Sequence, residues 1–276
     1  MCTYKDTGKT GDTATMTSSL PRFKVYGEGP ISVFLLHGAY GDGRYFADLG
    51  SKLAAFGYRA IAWDCPGYGQ SDSLAEPTIE NFAEAACSLI ENQKTRSNVV
   101  LGHSMGALIG PRVANACASI DALILSAGSQ GFVARPPEDQ ARYLEERLAP
   151  IEQGMSVAEY ALPLIKRMMA KGATGPLVDH VIDVILDMKT QAFADSIRAI
   201  SCYDSRPSLQ AITQPTLLIA GSEDAACTAS GMREMSGMIA NSEFHILDRC
   251  GHYGFAEKPN EYLSIVLGFL RKAVTN

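Results

Sequence analysis

The chain has 276 residues, is 46% hydrophobic and 20% charged, and carries 24 Lys and Arg against 30 Asp and Glu for a net charge of −6. This is the composition of an ordinary folded protein with room for one large α/β domain or two small ones. The acidic balance and the lack of any Lys/Arg cluster exclude a nucleic-acid footprint, and no apolar run approaches the roughly 18 residues that a membrane span needs.

Residues 1–19 are rich in Thr, Ser, Gly and Asp without an apolar segment, which predicts a flexible N-terminal tail and no secretory signal. Beyond it, short β-rich runs alternate with helical segments, the pattern of a parallel sheet covered on both faces. Residues 22–26 read as an edge strand and 31–36 (ISVFLL) as a fully buried one, followed by the loop His37-Gly38-Ala39-Tyr40-Gly41-Asp42-Gly43. A helix is predicted over 45–56, a strand over 59–63, and then the turn-rich Asp64-Cys65-Pro66-Gly67-Tyr68-Gly69. Thr78 starts an amphipathic helix with Phe82, Ala85, Ala86, Leu89 and Ile90 on one face. Strand 98–102 leads through Gly102-His103-Ser104-Met105-Gly106 into a small-residue helix containing Pro111, and 121–125 is the next strand. From 128 to 207 no strand is convincing. Segments 138–148, 157–170, 177–188 and 190–199 read as helices of an insertion, after which strands 215–220 and 243–247 and a helix over 260–272 complete the core. The expected organisation is therefore a core of 20–127 and 208–276 interrupted by a helical lid over 128–207.

Seven cysteines, at 2, 65, 87, 117, 202, 227 and 250, are odd in number and lack C-x-x-C spacing. They are read as reduced thiols of a cytoplasmic protein.

The G-x-S-x-G stretch between an apolar strand and a helix places a serine hydroxyl on a sharp turn above the sheet, with glycines where neighbouring backbone must pass. A serine needs a base to take its proton and a third group to orient that base. Of the five histidines, His252 follows the last strand in a Gly-flanked loop and is the expected base; His245 should point into the sheet, His180 lies on an insertion helix, and His37 and His103 read as supports. Asp224 directly follows strand 215–220, at the strand end where open α/β sheets carry their sites. The position after strand 121–125 offers only Ser126-Ala127-Gly128, and Asp248 is a weaker substitute. Asp224 also reads as a possible N-cap for a helix beginning at Ala225. The backbone N–H groups of Met105, at a helix N-terminus, and of Ala39 are the expected oxyanion donors.

On these residues the chain resembles the α/β-hydrolase superfamily over roughly 20–276. The resemblance rests on His37-Gly38 after the first long strand, Asp64-Cys65-Pro66-Gly67-Tyr68-Gly69-Gln70-Ser71 after the next, the Ser104 turn, Gly221-Ser222-Glu223-Asp224, and Gly251-His252, in the order Ser, Asp, His. The layout is most similar to the branch of small-molecule esterases, 3-oxoadipate enol-lactonases and hydrolases of C–C bonds. Ser104 argues against the dehalogenases and epoxide hydrolases, whose nucleophile is aspartate. Ala107 stands where relatives often have a second glycine, and His103 where C–C hydrolases often have Asn. The resemblance implies a mostly parallel sheet flanked by helices with a helical cap. It also implies cofactor-independent, metal-free hydrolysis of a small carboxylic ester or lactone through an acyl-enzyme. A C–C or vinylogous amide bond, or a non-enzymatic ligand receptor, are the alternatives. A small molecule is the expected partner, bound by a monomer or homodimer, with Tyr40, His103, Phe132, Tyr160 and Met168 as candidate substrate contacts. Met155, Met169, Met188 and Tyr143 line a pocket or pack the insertion's core, and Arg44, Arg135 and Arg198 are candidates to hold a substrate carboxylate.

Overall fold

The computed structural model describes residues 19–133 and 135–274; the expected tail, except for Ser19, and Cys2 lie outside the described residues. The chain opens with β1 (Phe23–Tyr26), β2 (Ile31–Leu36), a 3-10 turn over Gly43–Phe46, α1 (Ala47–Ala55), β3 (Arg59–Trp63), α2 (Ile79–Gln93), β4 (Ser97–His103), α3 (Gly106–Ala116) and β5 (Ile120–Ser126). Between β5 and β6 come α4 (Pro137–Glu152), α5 (Val157–Tyr160), α6 (Leu162–Met168), α7 (Pro176–Leu186), α8 (Thr190–Ser201) and α9 (Arg206–Gln210). The remainder is β6 (Thr216–Gly221), α10 (Ala229–Met238), β7 (Ser242–Leu247), α11 (Gly254–Glu257) and α12 (Pro259–Ala273).

The seven strands form one sheet in the order β1-β3-β2-β4-β5-β6-β7, in which only β1 runs antiparallel to its neighbour. The inner strands read as unbroken apolar runs because helices cover both faces: Val33–Leu35, Val99–Leu101 and Ala122–Leu125 are fully buried. Burying each such Val, Leu or Ile contributes about 1.5–3 kcal/mol. At the edges the pattern relaxes, and Phe23 and Val25 of β1 are exposed. Because β2, β4, β5 and β6 are parallel, the loops after them open on one side of the sheet, where strand order reverses about β2 and β4.

Several expectations change. His245 on β7 faces solvent beside Glu243 rather than the sheet packing, because an edge strand has one face uncovered. The helix expected over 157–170 is two helices broken at Ala161, since Pro163 in the first turn of α6 lacks the N–H that a continuous helix requires. Short helices α9 and α11 carry no pattern in the sequence, and the helix that could have begun at Ala225 begins instead at Ala229, as α10. Cys87 on α2 and Cys117 after α3 are paired, their sulfurs in contact, while Cys65, Cys202, Cys227 and Cys250 are free; α2 packs along α3, which brings two distant cysteines together. Among the described residues no helix is long and apolar enough to cross a membrane.

Candidate active site

Ser104 sits immediately after β4 with φ +55, the left-handed conformation that non-glycine residues adopt only when their surroundings hold them there. Those surroundings are visible. The Ser104 N–H donates to Ser126 O at 2.9 Å, and its carbonyl accepts from Ala107 N–H at 2.9 Å as α3 begins. The two glycines are required by space: a Cβ on Gly102 would stand 2.1 Å from Gly106 O, and one on Gly106 would stand 2.1 Å from Leu36 O. Backbone of β2, β4 and α3 is thus pressed together beneath the hydroxyl.

Asp224, in the loop after β6, accepts the N–H groups of Ala226 and Cys227 on Oδ1 at 2.8 and 2.9 Å. Its Oδ2 lies 2.7 Å from Nδ1 of His252, and both side chains are almost wholly buried. It is therefore not the N-cap of a following helix; α10 begins at Ala229 and is capped by Thr228. Asp248 is exposed beside Arg249 and plays no part in this pair.

The His252 loop is held by a residue that the sequence reading missed. Glu257, on α11, accepts the N–H of Gly251 and of Ala170 on Oε2 (2.9 and 2.8 Å) and that of Tyr253 on Oε1 (2.9 Å). The His252 N–H itself donates to Met168 O at 2.8 Å. One carboxylate therefore ties the imidazole's loop to the end of α6. Its only sequence signal is an acid five residues beyond the histidine.

The segment 37–39 is equally fixed. His37 is fully buried and bridges two loops, its Nδ1 against Gly38 O at 2.8 Å and its Nε2 taking Cys65 N–H at 2.9 Å. That arrangement defines the Nδ1–H tautomer, and burial lowers the ring's pKa so that it stays neutral. Gly38 N–H donates to the Tyr45 hydroxyl at 2.6 Å, and the Tyr68 hydroxyl donates to Ala39 O at 2.9 Å. The N–H groups of Ala39 and Met105 take no acceptor among the described residues, and both residues line the same cavity as Ser104 and His252.

That cavity holds about 300 Å³, at the lower end of the range for small-molecule sites. Tyr40, Phe132 and Met168 line it, together with Tyr143, Cys227 and the arginines 135, 142 and 147. Ser104 Oγ and His252 face it without a direct hydrogen bond between them, a contact often long before substrate arrives. Two candidate contacts do not reach it. His103 is fully buried beneath, packed among the rings of Tyr45, Tyr253, Phe255 and His252 with neither nitrogen partnered; burial, then the neighbouring histidines, drives its pKa well below 6.5. Tyr160 stands behind the wall, its hydroxyl donating to Arg147 O at 2.6 Å. Of the candidate arginines, Arg44 is committed to Asp42 and Asp187 and Arg198 to Asp195, neither on the cavity; only Arg135 lines it. Met155, Met169 and Met188 do not line it either.

The ligand atoms of Asp224, Cys227 and His252 lie within 4.8 Å of one another, but the donor set is poorly suited to a metal. Both Asp224 oxygens are already hydrogen-bonded, and burial pushes the Cys227 thiol well up, away from the thiolate that a metal binds.

The chain is similar to known proteins over most of its length. The 2-hydroxy-6-oxononadienedioate/2-hydroxy-6-oxononatrienedioate hydrolase 2 of Pseudomonas putida is 30% identical over 264 residues, covering 89% of each chain. The 3-oxoadipate enol-lactonase 1 of Acinetobacter baylyi is 25% identical over 227 residues, 78% of this chain and 79% of that one. In fold, an esterase from Exiguobacterium antarcticum superposes with a TM-score of 0.81 at 22% identity, covering 90% of this chain and 94% of the other. The sequence profile of the alpha/beta hydrolase family matches residues 33–265, and the chain is a hydrolase belonging to that family.

Proposed function

We propose that the chain hydrolyses a small carboxylic ester or lactone through an acyl-enzyme on Ser104, without a cofactor. Ser104 Oγ attacks the carbonyl carbon while His252 Nε2 takes its proton. The imidazolium then returns that proton to the departing alkoxide, and a water activated by the same imidazole releases the acid and regenerates the serine. Asp224 holds the Nδ1–H tautomer and offsets the charge that the ring gains. The N–H groups of Ala39 and Met105 hold the developing oxyanion, each worth about 2.7–4 kcal/mol of barrier. The helical insertion over 128–207 acts as a lid that excludes water and shapes the cavity.

The observation that carries this reading is the buried 2.7 Å Asp224–His252 contact, on the cavity that the left-handed Ser104 also faces. A 4-nitrophenyl ester should give a burst of nitrophenolate with the native chain and none with Ser104→Ala. Unchanged turnover in the variant would reject the assignment.

A second reading is favoured by the Pseudomonas putida relative, whose named substrate contains no ester, so that its hydrolysis breaks a C–C bond. The same three side chains would serve, with His252 moving a proton to carbon. The products decide: a dienoate fragment, with no alcohol released, supports the C–C reading.

A further inference from the structure

Part of the cavity wall is charged in a way that the hydrolytic machinery does not use. Three guanidiniums, Arg135, Arg142 and Arg147, face it against two carboxylates, Asp139 and Glu146, in a chain whose net charge is −6. Arg142 is satisfied by Asp139 at 2.5 Å, and Arg135 lies over the Phe132 ring at 4.2 Å. Arg147 is different. Its side chain is 14% exposed and its guanidinium lies 3.9 Å above the Tyr143 ring. Its Nη1 donates to Tyr143 O at 3.2 Å and stands 3.6 Å from a Glu146 oxygen that Arg167 also approaches at 3.7 Å. Its Nε is buried with no hydrogen-bond partner.

Beside it is Tyr40, one residue beyond Ala39, with only 7% of its surface exposed and its hydroxyl turned toward the Arg147 guanidinium. Burial raises the phenol to about 12, so the group remains an O–H donor. Both side chains are fixed before any ligand arrives: Tyr160 holds the Arg147 carbonyl, Tyr143 carries the guanidinium, and Phe193 packs 4.5 Å from the Tyr40 ring. A preset cation with an unpartnered Nε and a preset O–H donor beside it complement an anionic group with two acceptor oxygens. The small cavity limits that group to a short chain from the serine.

Resting on the hydrolase reading above, we infer that Arg147 and Tyr40 form a carboxylate subsite, and that the substrate is an ester or other cleavable acyl compound bearing a free carboxylate at the end remote from the scissile bond.

The test compares mono-4-nitrophenyl adipate with its neutral methyl ester. The native chain should prefer the acid in kcat/KM, and Arg147→Met should reduce that preference about 100-fold, the usual consequence of deleting a charged hydrogen-bond partner. Tyr40→Phe should reduce it about tenfold, and Arg147→Lys should keep part of it, because the charge survives without the planar fork. An equal fall on both substrates would show that Arg147 merely supports the wall and overturn the subsite. So would a native chain with no preference for the acid. Calorimetric titration of adipate into Ser104→Ala separates the two readings, since it needs no turnover. Binding that disappears on adding Arg147→Met upholds the subsite even if the serine chemistry fails. Ser104-dependent turnover with no Arg147-dependent adipate binding leaves the chemistry standing and removes the subsite.

Discussion

The floor and the wall of the cavity are held by different kinds of contact. On the floor, backbone groups do the fixing: Ser104 N–H to Ser126 O, His252 N–H to Met168 O, two N–H groups on Asp224 and three on Glu257. On the wall, side chains rest on side chains: Arg147 on Tyr143, Phe132 on Tyr143 with ring centres 4.0 Å apart, Tyr40 on Phe193. Backbone contacts leave little tolerance, because a main-chain atom cannot turn aside as a rotamer can. Proton transfer needs that exactness of placement, whereas choice of substrate does not. The wall can therefore be changed residue by residue while the floor stays as it is.

The largest effect should come from Asp224→Asn. The amide oxygen can keep the Ala226 and Cys227 N–H groups, which leaves its NH₂ facing His252 Nδ1 and forces the wrong tautomer. A fall in kcat of about 10⁴ is expected, as in other Ser-His-Asp sites, measured on a 4-nitrophenyl ester. A loss of less than about tenfold would break the claim that the floor sets the proton's position.

Gly106→Ala probes rigidity directly. Its methyl would meet Leu36 O, which belongs to a central strand and has nowhere to go. Urea denaturation should show about 3 kcal/mol or more of lost stability. Met168→Leu on the wall conserves volume and should cost less than about 1.5 kcal/mol while shifting KM. Equal costs would erase the distinction between floor and wall.

Glu257 lies where floor meets insertion. With Gln there, one of the two oxygens becomes a donor and opposes N–H groups that it formerly accepted. The expected cost is about 2 kcal/mol in stability. The fall should be larger in kcat than in KM, since the loop that moves carries His252. A variant with native kcat would show that the loop is held by other contacts.

The floor was legible in the sequence because tight backbone leaves local marks. Ser104, Asp224 and His252 each stand beside glycine or at a strand end, and the strands that carry them are apolar runs with abrupt limits. The wall left weaker marks: Tyr40, Phe132, Met168 and Arg135 line it as expected, but nothing singled out Arg147. From the pattern alone Arg44, Arg135 and Arg198 are as good as Arg147, because only packing decides which face of α4 turns inward. Glu257 acts on Ala170, 87 residues away, and no periodicity reports that. The Cys87–Cys117 pair depends likewise on how two helices lie together. The break at Pro163 was readable: proline inside a helical pattern signals a boundary.

The smallest effect concerns His103, which belongs to the floor yet makes no hydrogen bond. Enclosed by aromatic rings and facing His252 at 4.9 Å, it is kept neutral by burial. Its pKa in the folded chain is below the 6.5 of an ordinary histidine. Above pH 6.5 neither the folded nor the unfolded form binds a proton there, and stability is independent of pH. Below it the unfolded chain takes up a proton that the folded chain refuses, so stability falls as the pH falls, by at most about 1.4 kcal/mol per pH unit for each such group. His37 is depressed in the same direction, so the native chain should show the sum of two contributions. His103→Phe, which suits the aromatic surroundings, should remove one of them. Urea midpoints at pH 7.5, 6.5 and 5.5 would then show a shallower acid limb in the variant. An unchanged limb would mean that His103 reaches water when the chain is acidified, and that the floor beneath the serine is looser than its backbone contacts imply.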